Sequence, residues 1–156
     1  MTVIKKLNDL DIILSKLSRK KILSLVPTMG SLHKGHISLI KSALKYSDEV
    51  WVSIFVNPTQ FGPQEDFAQY PRTLEADLDL CGSVGVGAVW VPTVEDIYPA
   101  GAQTVVDVEQ LGNRFEGESR PGHFRGVATV VSKLFHVVRP HKAFFGEKDL
   151  QQLFVI

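Results

Sequence analysis

The chain has 156 residues, 44% hydrophobic and 22% charged, with 17 Lys and Arg balanced against 17 Asp and Glu. That is the make-up of one globular domain over residues 1–156, able to bury roughly 70% of the surface its unfolded chain exposes. The neutral balance argues against nucleic acid as a partner, which calls for a basic excess. The lone Cys81 rules out an internal disulfide and fits a reducing compartment.

In chain order, the first segment carries Lys5 and Lys6 but no apolar run longer than Ile12-Ile13-Leu14, so it does not read as a signal peptide. Asp9 and Asp11 weigh against an organellar presequence, and no stretch approaches the roughly 18 apolar residues of a membrane span. A cytoplasmic location without membrane contact is expected. Val3, Ile4, Leu7, Leu10, Leu14 and Leu17 fall at helical spacing and predict an amphipathic surface helix. Ile22 to Val26 and Val50 to Val56 predict strands, and Ile37, Ile40 and Leu44 between them share one helical face. This is a parallel βαβ unit, whose first loop lies at the carboxyl edge of the sheet, where open α/β sheets bind ligands. Leu74, Leu78 and Cys81 predict a helix, Ala88 to Val91 a short strand and Thr104 to Val108 another. Gly126 to Val138 predicts the longest later helix, with an apolar stripe of Val127, Val130, Val131, Leu134, Phe135 and Val138, and Lys142 to Phe145 a last strand. The chain closes on Leu153-Phe154-Val155-Ile156 without a cap or polar tail, which predicts the amino-terminal part of a longer protein or a partner surface over these residues. With no internal repeat or flexible linker, the chain is not divided further.

Four segments carry chemistry. The first, Val26-Pro27-Thr28-Met29-Gly30-Ser31-Leu32-His33-Lys34-Gly35-His36, lies between the first predicted strand and its helix. Gly30 and Gly35 permit tight turns, and the helix start attracts phosphate. His33 and His36 set two imidazoles beside that anion site. Packed or surface histidines, and a zinc ion shared by the pair with distant His123, are the competing readings. The second is the long connection from Asn57 to Arg72, in which Asn57 and Gln60 offer amides that suit a hydroxy acid, or else form turns beside Pro58. The third, Phe115 to Gly126, is rich in glycine and charge, like a flexible lid. Arg120 and Arg125 there are able to clamp an anion, or are solvated loop charges. The fourth is Phe145-Gly146-Glu147-Lys148-Asp149-Leu150-Gln151-Gln152. Lys148 can meet phosphate charge, Asp149 can cap a helix or hold a ribose or amine, and Gln152 lies on the same helical face.

With these residues assembled, the chain resembles the pantothenate synthetase (pantoate–β-alanine ligase) family. PTMGSLHKGH, SIFVNPTQF, YPRTLEADL, RPGHFRGVATVV and FGEKDLQQL match its motifs in order and spacing from Val26 onward. HxGH alone would indicate only the wider adenylyl-transferring superfamily. The resemblance implies an α/β fold, a Rossmann-like parallel sheet flanked by helices, that binds ATP with Mg²⁺ and pantoate. It implies an enzyme that forms pantoyl adenylate and pyrophosphate and lets β-alanine displace AMP, as a homodimer in coenzyme A biosynthesis. It assigns ATP binding to Pro27, Met29, Gly30, Ser31, Leu32, His33, Lys34, Gly35 and His36 and to Gly146, Glu147, Lys148 and Asp149. The catalytic residues it suggests are His36 as proton donor, His33 and Lys148. Gln60 and Gln152 match pantoate ligands, Gln60 lies near β-alanine as well, and Asn57 and Arg120 are accessory contacts. No protein ligand for the metal is assigned: Asp77 is a candidate, read instead as a surface helix acid. Lys34 and Gly87 are minor departures from the pattern. The family continues beyond Ile156 with a second nucleotide loop, bearing serine and arginine contacts, and a small carboxy-terminal domain. This chain by itself is therefore expected to bind ATP weakly and turn over slowly. Two alternatives stand beside this: another small HxGH nucleotidyltransferase, acting on a phosphate acceptor, and a non-catalytic binding or dimerisation module, with Val127 to Val138 contributing either to folding or to assembly.

Overall fold

A computed structural model describes residues 1–63, 65 and 67–156; Gln64 and Asp66 of the long connection lie outside the described residues. The elements are β1 (Thr2–Ile4), α1 (Leu7–Lys16), β2 (Leu23–Thr28), α2 (Lys34–Lys45), β3 (Glu49–Ile54), a 3-10 turn at Pro58–Gln60, α3 (Leu74–Val84) and β4 (Ala88–Trp90). Three four-residue helices follow, α4 (Val94–Ile97), α5 (Glu109–Gly112) and α6 (Glu116–Ser119), then α7 (His123–Val138), β5 (Lys142–Ala143) and α8 (Leu150–Val155). Among the described residues the strands form one sheet in the order β1-β4-β3-β2-β5, with every pairing parallel. Helices cover both faces, in the Rossmann-like arrangement.

Alternation along the strands builds the two cores. Leu23, Leu25, Trp51, Ala88 and Trp90 face α1 and α7, packing on Leu10, Val127, Val130, Val131, Leu134 and Val138. Val26, Val50, Val52, Ile54 and Val89 face α2 and α3, packing on Ile40, Ala43 and Cys81. The apolar stripe of α7 is thus spent on the sheet, so Val127 to Val138 contribute to folding.

Three sequence expectations are corrected. Val3 and Ile4 do not continue the first helix: Thr2–Ile4 pairs with Ala88–Trp90, because backbone bonding to an open sheet edge outweighs the local helical spacing. Thr104 to Val108 is not a strand. The Val106 N–H donates to Thr129 Oγ1 on α7 (3.0 Å) and the Val106 carbonyl accepts from the same hydroxyl (3.2 Å), so the middle of this run satisfies its backbone on a helix side chain rather than on a strand. Helix α7 starts at His123 rather than Gly126. Gly126 sits inside the helix because a Cβ there would collide with the backbone of Thr59 and lie 2.7 Å from Gln60 N. It permits close approach and breaks nothing.

The order of the strands positions the site. From β2 the chain moves outward through β3 and β4, whereas β5 returns to the other side of β2, so the connection changes direction between β2 and β5. Ligands of open α/β sheets bind at such a point. Odd-numbered residues of β2 face β5: the Leu23 carbonyl accepts from His141 N (2.8 Å) and that of Leu25 from Phe144 N (3.0 Å). Pro27 is next in that series, beyond the reach of the two-residue β5. Its missing N–H therefore costs no ladder bond, and the sheet opens there into a crevice.

Candidate active site

Two segments flank this crevice, residues 29–36 after β2 and 144–149 after β5. In the first, Gly30 takes φ +81°, and Ser31 follows at φ +51°, a left-handed conformation that costs a non-glycine residue on the order of 1 kcal/mol. The turn is held from below. Asp77 of α3, 2% exposed, accepts from Ser31 N at 2.9 Å, Leu32 N at 2.7 Å and Thr73 Oγ1 at 3.2 Å. This corrects the reading of Asp77 as a surface acid. Its position in the stripe 74, 77, 78, 81 was a usable signal, an acid where the helix otherwise turns apolar residues inward.

His33 and His36 cap the start of α2 reciprocally. Gly35 N donates to His33 Nδ1 (3.1 Å) and His33 N donates to His36 Nδ1 (3.3 Å). Gly35 is needed because a Cβ would come within 2.9 Å of the His33 ring. With both Nδ1 lone pairs accepting, each neutral ring carries its proton on Nε2 as a donor. Burial, reinforced by neighbouring His33 and opposed by Asp77, lowers the His36 pKa from its ordinary value. The first turn of α2 contains no acid. A helix start capped by imidazoles adds no negative charge of its own to the positive end of the dipole, which suits an anion site.

Beside this turn lies a cavity of about 250 Å³, lined by Met29, Gln60, Phe61, Tyr70, Glu116, Arg120, His123, Phe124, Lys148, Asp149 and Gln152. The sequence candidates Met29, Gln60, Arg120, Lys148, Asp149 and Gln152 thus converge, although they come from four separate segments. His33 and His36 do not line this cavity; they stand at the head of α2, joined to it through the Met29–Leu32 turn.

Gln60, 8% exposed, is fixed on both sides. Asn57 Nδ2 donates to its Oε1 (3.0 Å) and to the Gly126 carbonyl (3.2 Å). Asn57 Oδ1 accepts from Thr59 N, Thr59 Oγ1 and the Tyr98 hydroxyl, so the Asn57 amide is consumed within the protein. The Gln60 carbonyl is bonded to His123 Nδ1 at 2.8 Å, and His123 Nε2 lies 3.2 Å from Arg120 Nη1. One tautomer satisfies both contacts: Nδ1–H donates to the carbonyl and Nε2 accepts from the guanidinium. His123, weighed in the sequence only as a remote metal ligand, is a support for Gln60. The sequence signal for it was thin, a histidine ahead of an apolar helix.

Arg120 already holds protein carboxylates. Its Nε and Nη2 donate to Glu65 at 2.6 and 3.1 Å, and Nη1 to Glu116 at 3.1 Å. The Arg120 bonds, with help from Gly62 N–H, lower the Glu65 pKa to about 2. The segment read as a lid is tied down further: Gln151 Nε2 donates to the carbonyls of Leu111 and Arg114, and its Oε1 accepts from Glu116 N. Arg125 lies only 4.0 Å from Asp107 at the surface. Lys148 is 87% exposed, with a 3.4 Å approach to Asp149. Asp149 occupies the cap position of α8 but makes no side-chain cap bond, contrary to one of its expected roles. Among the described residues no group of three His, Cys, Asp or Glu side chains could hold a metal ion. Nor is any helix there long and apolar enough to cross a membrane.

The family model described as pantoate-beta-alanine ligase matches residues 2–156. The chain is 52% identical over 157 residues to a pantothenate synthetase of Acetivibrio thermocellus, covering 100% of this chain and 56% of that protein. It is 62% identical over 128 residues to one of Acidobacterium capsulatum, covering 82% and 43%. A Thermus thermophilus pantothenate synthetase structure superposes with a TM-score of 0.93 at 47% identity, covering 99% of this chain and 55% of that one. The Francisella tularensis pantoate-beta-alanine ligase complexed with beta-gamma ATP and beta-alanine superposes at 0.95 with 42% identity, covering 99% and 60%. The chain spans about half the length of the curated relatives it matches. On a match over residues 2–156, the chain belongs to the pantoate–β-alanine ligase family.

Proposed function

We propose that this chain is the ATP- and pantoate-binding part of an ATP-dependent ligase that joins pantoate to β-alanine. One observation carries the reading: Gln60, Gln152 and Lys148 meet around a small cavity beside the acid-free start of α2, at the switch point of the sheet. The pantoate carboxylate attacks the α-phosphorus of ATP, pyrophosphate leaves, and the amine of β-alanine displaces AMP from the mixed anhydride. Two anions must approach and charge accumulates on the leaving group, so directed donors and cations supply the acceleration. His33 and His36 contribute Nε2–H donors at the phosphates, and His36, which the resemblance implies is the proton donor, acts through that hydrogen bond without giving up the proton. Lys148, exposed and 3.4 Å from Asp149, follows the charge on the phosphates. Pro27 to His36 and Gly146 to Asp149 bind ATP from the two sides of the crevice. Gln60 presents its amide N–H groups to pantoate with its oxygen anchored by Asn57, so Asn57 acts on the substrate through Gln60. Gln152 holds pantoate from α8. Arg120 closes the cavity with Glu65 and becomes an anion ligand only by exchanging that partner. Mg²⁺ enters as the ATP complex, since this ion is commonly held by substrate phosphates with few protein ligands. A homodimer in the cytoplasm is the proposed working state.

The test is pyrophosphate release from Mg-ATP by the full-length protein. Release that requires pantoate, followed by AMP release on adding β-alanine, supports the ligase. Release driven instead by a phosphorylated acceptor points to another nucleotidyltransferase, and binding of pantoate and ATP without turnover points to a binding module.

A further inference from the structure

The acid beneath the nucleotide turn is an electrostatic oddity. A carboxylate there opposes the very phosphates that the helix start attracts, so its presence needs a compensating reason. The geometry supplies one. Both Asp77 oxygens are aimed at backbone, Oδ2 at Ser31 N and Oδ1 at Leu32 N, with Thr73 Oγ1 steadying Oδ2. These two N–H groups belong to the residues between Gly30 and the His33 cap, one of them in a left-handed conformation. A Cβ on Gly30 would lie 3.1 Å from the same carboxylate, so turn and acid are fitted to each other. Aimed at the turn in this way, the acid has its oxygens committed before any cation arrives.

We propose that Asp77 is a positioning residue for ATP: by holding the Ser31 and Leu32 amides it fixes the direction in which His33, His36 and the start of α2 meet the phosphates. Asp77 touches no reacting atom. This rests on the ligase reading for its substrate, but the prediction concerns nucleotide affinity and is measurable without turnover.

The experiment is calorimetry of the full-length protein with Mg-ATP and separately with pantoate, on wild type, Asp77→Asn and Thr73→Val, with circular dichroism to verify folding. Asp77→Asn keeps the shape but sets an amide NH₂ against one backbone N–H. Its Kd for ATP is expected to rise about tenfold, the scale of one lost hydrogen bond to a charged group, because losing the alignment of the turn outweighs the relief of charge repulsion, with the Kd for pantoate within about twofold. Thr73→Val leaves the carboxylate but removes its third donor, and should raise the ATP Kd by a smaller factor of roughly three. An unchanged ATP Kd in a folded Asp77→Asn protein overturns the proposal, as does an equal loss of affinity for ATP and pantoate, which marks a general structural role. If Asp77→Asn does not fold, Thr73→Val decides by the same criteria. Wild type that binds ATP but releases no pantoate-dependent pyrophosphate overturns the ligase reading alone; wild type that binds no ATP overturns both.

Discussion

At the scale of single residues, the site relies on groups whose hydrogen-bonding capacity is already partly used. His36 spends Nδ1 on the cap of its own helix and keeps Nε2–H as its one donor, so the proposed mechanism uses it in the neutral form, as a hydrogen-bond donor. Its pKa is lowered chiefly by burial, and a histidine of this kind is neutral down to a lower pH than usual. The acid limb of kcat/KM in the full-length protein should therefore lie below the ordinary histidine value of about 6.5. The sign for stability is the same: the contribution of neutral His36 is present above that value and lost as pH falls. A limb at or above the ordinary value would count against neutral His36. Removing the donor outright, as His36→Ala, or the cation, as Lys148→Ala, should slow adenylate formation roughly 10²- to 10³-fold. Isotope exchange between pyrophosphate and ATP measures this, and rates within about threefold of wild type would contradict the assigned roles.

Among elements, the decisive contact is between α7 and the turn at Pro58–Gln60. Gly126 lets the helix backbone lie against Thr59 and Gln60, while Asn57 and His123 bolt the turn in place. Gly126→Ala should cost about 1–3 kcal/mol in urea unfolding, the range for overpacking, and should weaken pantoate binding more than ATP binding. Equal stability and affinity would show that the turn can move aside. The bond between Glu65 and Arg120, which lines the cavity, couples the second loop to the third. Because the folded Glu65 pKa is depressed to about 2, the contribution is complete above the ordinary carboxylate value and disappears as pH drops toward 2. Gly62 N–H, which donates to Glu65 Oε2 at 3.0 Å, should lose its protection from hydrogen exchange in that window. In Glu65→Ala that protection should be weak at every pH. A Gly62 amide equally protected in the variant would mean that the latch does not order the loop.

Over the whole molecule, stability resides in two apolar layers on either side of one parallel sheet. Leu25, fully buried on β2, should cost about 2–5 kcal/mol as Leu25→Ala, a large share of a typical domain's stability. Val105→Ala, in the exposed run whose pattern predicts a strand, should stay within about 0.5 kcal/mol; a loss like that of Leu25 would mean Val105 is packed after all. The sequence by itself determined the alternation of strands and helices, because periods of two and 3.6 are local signals, and its motifs were enough to mark the segments at the carboxyl edge. The chemistry of its motifs and their resemblance to the family also put forward Gln60, Gln152, Lys148 and the histidine pair as candidates, of which the fold brings Gln60, Gln152 and Lys148 around one cavity. Tertiary structure alone decided that Val3 and Ile4 pair with β4 and that Thr104 to Val108 binds Thr129. It also decided that Arg120 holds Glu65 and that Asp77 is buried under Gly30, Ser31 and Leu32. Each of these joins residues distant in sequence. The free energy of such a contact depends on what the fold brings alongside, and no local pattern records that neighbour.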